Sequence, residues 1–172
     1  VAELLSRDRL QPALLDRLSD DASGTPLESR EQRVLSLRGL REAVLRDLGW
    51  LLNATSLAAA VGPLDDTPLA AQSVLNFGLP GLAGRTASSV DAGTVARAIR
   101  QAIWDFEPRI LRDGLRVVAV AGHPSAAPNQ LAFEIQGELW ALPLPERLYV
   151  RTELDLETGA VRLFDLDGAR PR

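Results

Sequence analysis

The triplet Glu107-Pro108-Arg109 sets opposite charges on either side of a fixed backbone. Proline locks its own φ, so the two charges leave the chain from a rigid corner. Arginine offers a planar fork to a carboxylate or to backbone carbonyls. The residues leave two readings open: a local structural ion pair, or a docking corner for another chain. A further chemistry is glycan hydrolysis, the peptidoglycan hydrolase reading, with Glu107 as general acid. That acid needs an apolar pocket to hold it protonated and a second carboxylate across the bond. Trp104 and Phe106 supply apolar neighbours, but a paired Arg109 would favour the charged carboxylate. No second acid stands at a readable spacing. Asp20-Asp21 and Asp65-Asp66 fall in loop sequence and read as solvated.

Composition removes other chemistries. The 172 residues include no Cys, and all 19 basic residues are Arg. Thiol catalysis, disulfides and Cys-type zinc sites are excluded, as are a phosphate-loop lysine and a Schiff base. The single His123, in Gly122-His123-Pro124, reads as an exposed loop residue and supports no metal site. Gly78 to Gly84 (GLPGLAG) lacks the G-K-[ST] ending of a phosphate loop and reads as a surface turn. A formal net charge of −4 argues against nucleic acid as a partner. No apolar run reaches the ~18–20 residues that span a bilayer, and the start does not look like a signal peptide. The chain reads as cytoplasmic and not inserted in a membrane, and none of these residues marks a cofactor site.

Helices and strands must hold these residues in place. Residues 1–26 read as an N-terminal arm and linker, and 27–172 as a single domain. Leu14, Leu15 and Leu18 have helical spacing within the arm. Ser29 with Gln32 resembles a capping box. From Val34 to Asn53 apolar residues recur every three or four positions, which predicts an amphipathic helix with Trp50 in its buried stripe. Thr55 to Gly84 is broken by Gly62-Pro63 and Thr67-Pro68, with a short helix or turn over Ala70 to Phe77. Val95, Ile99, Ala102, Ile103 and Phe106 mark another helix, capped by Ser88, Ser89 or Asp91 and stopped by Pro108. Trp104 also falls on its stripe. The period then changes to two over Leu115–Ala121, Gln130–Trp140, Leu148–Leu154 and Val161–Phe164, with a turn at Glu157-Thr158-Gly159. Trp140, at the end of its strand, reads as half exposed. Helices first and strands afterwards predict an α+β fold: N-terminal helices followed by a small, mostly antiparallel sheet of about four strands.

Phe106-Glu107-Pro108-Arg109 resembles the F-E-P-R signature of the phage baseplate wedge family, which includes the TssE subunits of type VI secretion. Other pieces match in the same order. Leu14 to Leu18 (LLDRL) is similar to the family's N-terminal motif, and Val44 to Asn53 (VLRDLGWLLN) to its V-x-x-D-L-x-W-L-L-N helix. Ser73 to Pro80 (SVLNFGLP) resembles S-V-x-N-[YF]-G-[LI]-P, and Asn129 to Gly137 has the family's strand pattern.

The resemblance implies a non-enzymatic baseplate subunit at the cytoplasmic face of the inner membrane. It would join TssF and TssG in a wedge, with TssK and the spike protein as indirect partners. The family's E-P-R corner, here Glu107, Pro108 and Arg109, would contact the helical bundle of TssF and TssG. The C-terminal strands would face the sheath subunits TssB and TssC and help start sheath assembly. Tyr149, Arg151, Glu153, Val161 and Leu163 are the residues expected on that side. Open strand edges accept further strands, which makes the role physically reasonable.

Overall fold

The structure, a computed structural model, describes residues 37–86, 89–120, 129–141 and 145–167. Leu14 to Leu18, the Asp20–Pro26 linker, Ser29, Gln32, Val34, Ser88 and His123 lie outside the described residues. Helix α1 (Leu37–Asn53) buries Leu40, Ala43, Val44, Leu48, Leu51 and Leu52. Their three- and four-residue spacing makes one apolar stripe. Trp50 departs from the expectation. It stands two residues from both Leu48 and Leu52, which turns it off the stripe, and it is 51% exposed.

Short helices α2 (Leu57–Val61) and α3 (Pro68–Ala71) follow, then a 3-10 turn at Val74–Asn76. Helix α4 (Ala92–Phe106) is capped by Asp91, whose carboxylate accepts from the Gly93 and Thr94 N–H groups. It buries Val95, Ala96, Ile99, Ala102 and Ile103 and stops before Pro108, as the sequence predicts. Trp104 is partly buried against the core.

Strands β1 (Arg116–Val120), β2 (Gln130–Leu139), β3 (Glu146–Asp155) and β4 (Val161–Asp165) form one antiparallel sheet in the order β1-β2-β3-β4. The fold is α+β, helices before sheet. Period-two alternation sends Phe133, Ile135, Leu139, Leu148, Val150 and Leu154 into the core. There they meet α1 and α4. Glu134, Gln136, Tyr149, Arg151 and Glu153 alternate onto the opposite face. Asp155, Glu157, Thr158 and Gly159 (φ 76°) build the β3–β4 turn.

Two polar clamps fix α1 on β4. The Arg41 fork donates from Nε to Asp165 at 2.7 Å and from Nη2 to its other oxygen at 2.5 Å. Asn53 imitates a strand: its Oδ1 accepts from the Val161 N–H at 2.9 Å and its Nδ2 donates to the Val161 carbonyl at 2.9 Å.

The Gly78–Gly84 stretch is more than a surface turn, because Gly78, Leu79 and Leu82 are buried. Leu79 pairs in parallel with Thr55, through Leu79 N–H to the Ala54 carbonyl at 2.8 Å and Ser56 N–H to the Leu79 carbonyl at 2.9 Å. Gly78 lets these strands approach. Its φ is 126°, and a Cβ there would stand 2.4 Å from the Ala54 carbonyl oxygen. Gly49, in mid-helix, has nothing within 4 Å of that position.

The two glycines therefore predict opposite outcomes in urea denaturation. Gly49→Ala is expected to stabilise the fold by about 0.5–1 kcal/mol, through helix propensity alone. Gly78→Ala is expected to destabilise it by at least about 2 kcal/mol, through strain and overpacking. The Asp91 cap predicts a pH effect. The Thr94 hydroxyl, then the Gly93 and Thr94 N–H groups, hold its carboxyl below the ordinary 3.8. Its stabilisation is complete above that unfolded-state value and is lost as pH falls through the lower folded one. The melting-temperature gap between wild type and Asp91→Ala should thus be full near neutral pH and close in strong acid.

Candidate functional site

Helix α4 ends because Pro108 has no N–H to continue it and disfavours helical geometry at Glu107. The Glu107 N–H still closes on the Ile103 carbonyl at 2.9 Å, and the Glu107 carbonyl accepts from Ile110 at 3.2 Å. The chain then runs alongside the end of β2. Ile110 pairs antiparallel with Leu139. The Trp140 N–H donates to the Arg109 carbonyl at 2.7 Å, and the Leu111 N–H to the Glu138 carbonyl at 2.8 Å. The corner is thus stitched to both the helix and the sheet through its backbone.

Its side chains make an ionic junction. Glu107 is 4% exposed. Arg109 donates from Nε to one Glu107 oxygen at 2.7 Å and from Nη2 to the other at 2.5 Å. The same Nη2 donates to Asp47 on α1 at 2.6 Å. The second Asp47 oxygen accepts from Arg46 Nε at 2.9 Å. Burial opposes the Arg109 charge, but the Glu107 carboxylate and then Asp47 outweigh it and raise its pKa above the ordinary arginine value. Arg109 Nη1 is buried with no hydrogen-bond partner among the described residues. That nitrogen of the guanidinium is therefore unused within them.

Exposed surface surrounds the junction. The Arg46 guanidinium lies 5.0 Å from the Trp50 ring centre. Trp140 and Pro108 are also exposed. Inside, Phe106 meets Phe77 edge-on at 5.4 Å and 67°, so the Ser73–Pro80 segment also reaches the corner.

Chemically this is an ionic junction more than a reactive centre. Both Glu107 oxygens are engaged by Arg109, which opposes their use in proton transfer. A hollow of about 160 Å³ does exist, lined by Leu79, Leu82, Val90, Asp91 and Val95 among others. It lies at the start of α4, and Glu107 lies at the other end of that 15-residue helix, roughly 20 Å away at 1.5 Å per residue.

Glu107, Pro108 and Arg109 come together at one place. The expected sheath-facing residues do not. Tyr149, Arg151 and Glu153 lie on the sheet face opposite the core. There Arg151 pairs with Glu134 at 3.2 Å, and the Glu134 carboxylate raises the Tyr149 pKa. Val161 is buried and Leu163 packs against the core. β3 is hydrogen-bonded on both sides, whereas β1 and β4 each pair on one side among the described residues.

The sequence reading missed the roles of Asp47, Arg46 and Trp50. For Asp47 a signal was present. It stands three residues after Val44 and four before Leu51, both buried, so a carboxylate on that face needs a partner.

A family model described as baseplate wedge protein gp25 matches residues 38–144. No curated protein and no solved structure matches the chain.

The junction predicts a measurable stability loss. Arg109→Ala strands the Glu107 carboxylate in the interior and should cost about 2–4 kcal/mol in urea denaturation, slightly less than a fully buried pair. Arg109→Lys, which keeps the charge and loses the fork, should recover only part of it. A loss below about 0.5 kcal/mol for Arg109→Ala would mean that solvent replaces the guanidinium without cost.

Proposed function

From the premise that the chain belongs to the baseplate wedge protein gp25 family, we propose that it is a wedge subunit of a type VI secretion baseplate that docks on TssF and TssG through the Glu107-Pro108-Arg109 corner. The family's role is structural, within a contractile baseplate and among other baseplate subunits. No described helix is long and apolar enough to cross a membrane. Assembly at the inner face of the inner membrane belongs to the proposal.

The observation that carries the docking reading is the junction at Arg109. Its geometry is set before any partner arrives, by two carboxylates and by backbone bonds to α4 and β2. A preorganised contact avoids the cost of ordering side chains on binding. Pro108 and the tryptophans Trp50 and Trp140 are exposed where a partner would meet the corner, and tryptophan is enriched among the residues that anchor interfaces.

Within the expected C-terminal strands, the free edge decides how the sheath role could be met. β3 lies inside the sheet, so an added strand must pair with β4 or β1. In this proposal β4 offers TssB and TssC the part of its edge beyond Val161, whose N–H and carbonyl Asn53 already takes, while Tyr149, Arg151 and Glu153 present the face beside it. Val161 and Leu163 support β4 from the core side.

The test is co-expression with TssF and TssG followed by size-exclusion chromatography. Wild type should co-elute with both. Arg109→Ala and Trp50→Ala should each lose co-elution at a temperature where circular dichroism shows them folded. Trp50→Ala removes no intramolecular ion pair, so it separates docking from stability. Unchanged co-elution of both variants would make the corner a structural device. Failure of wild type to co-elute would reject the assignment to this baseplate.

A further inference from the structure

The segment between Ala54 and Phe77 folds without a core of its own. Helices α2 and α3 and the 3-10 turn bury none of their residues. Polar side chains hold them instead. Asn76 Oδ1 accepts from the Ala58 N–H at 3.0 Å, and its Nδ2 donates to the Ala71 carbonyl at 2.9 Å. Ser73 Oγ donates to the Ala70 carbonyl at 2.9 Å and accepts from the Leu75 N–H at 3.2 Å. The Thr55–Leu79 pairing ties the lobe to the domain.

This lobe turns Val61, Leu69, Val74 and Leu75 outward, each 64 to 86% exposed. No other large apolar residue among those described is as exposed. A lobe whose polar groups are used internally and whose apolar groups face solvent is shaped for a second surface. Its charge is also one-sided. Between Asp47 and Arg85 the only charged residues are Asp65 and Asp66. Both are exposed, and neither has an ion pair among the described residues.

We infer that this lobe is a second docking surface, and that its occupant is an amphipathic helix with Arg or Lys beside its apolar stripe, supplied by a neighbouring baseplate subunit. The inference rests on the proposed wedge role. Leucines and valines accept the apolar stripe of such a helix. The two aspartates select its cations and repel an acidic competitor. The Ser73–Asn76 stretch then has a divided task. Ser73 and Asn76 hold the lobe together, and Val74 and Leu75 meet the partner.

The test titrates the purified chain against a purified TssF–TssG complex, with two double variants at exposed positions. Leu69→Ser with Leu75→Ser removes the apolar contact, and Asp65→Arg with Asp66→Arg reverses the charge. Each is expected to raise Kd by about 10-fold or more with an unchanged melting temperature, and the aspartate effect should shrink in high salt. Normal affinity of both variants overturns the inference and leaves the wedge role standing. A loss confined to the leucine pair overturns the basic character of the partner. Concentration-dependent dimerisation of wild type, abolished by the leucine pair, gives the surface to a second copy and overturns it as well. No binding by wild type rejects the wedge role and the lobe's assignment together.

Discussion

Arg109 joins three stretches of chain that are far apart in sequence. Its side chain binds Glu107 at the end of α4 and Asp47 on α1, and its carbonyl accepts from Trp140 just past β2. The Arg109 charge is partly buried and is met by both carboxylates, and the deeply buried Glu107 side chain has Arg109 as its ion-pair partner. This shared pairing fixes how α1, α4 and the sheet edge meet. The apolar core supplies most of the burial, but apolar contact has no direction. The ionic junction supplies direction.

Three of the described segments that resemble the family's motifs are joined at or beside that junction, through Asp47, Glu107-Arg109 and the Phe77–Phe106 contact. Asp47 and Asn53 belong to one helix, and they reach Arg109 and Val161 respectively. Phe77 and Gly78 belong to another segment. Phe77 packs on Phe106, and Gly78 permits the close pairing of Leu79 with Thr55. Most of these residues build the corner instead of projecting from it. In the proposed role, a docking site built on so rigid a junction would present its contacts without reordering.

Much of this was legible in the sequence, for physical reasons. The stripe of α1, the stop at Pro108 and the period-two strands follow from local geometry, and the α+β order follows from them. Trp50 was read into the core because its neighbours are leucines, although its phase on the helix turns it outward. The junction was half legible. Glu107 and Arg109 are neighbours in sequence, but Asp47 lies 62 residues from Arg109, and only the packing of α1 on α4 brings them together. Strand order was not legible either. Alternation assigns faces, which is why Tyr149 and Val161 separate, but nothing local states that β3 lies between β2 and β4. The 54–77 lobe resisted reading because hydrogen bonds from Ser73 and Asn76, not an apolar period, hold it.

The account stands on the claim that Arg109 couples α1 to the end of α4. A double-mutant cycle measures that coupling directly, with Asp47→Asn, Arg109→Gln and the pair compared by urea denaturation. The account predicts a coupling energy of about 1–2 kcal/mol, within the range for residues sharing one ionic network. Strictly additive losses, with no coupling between the two positions, would contradict it.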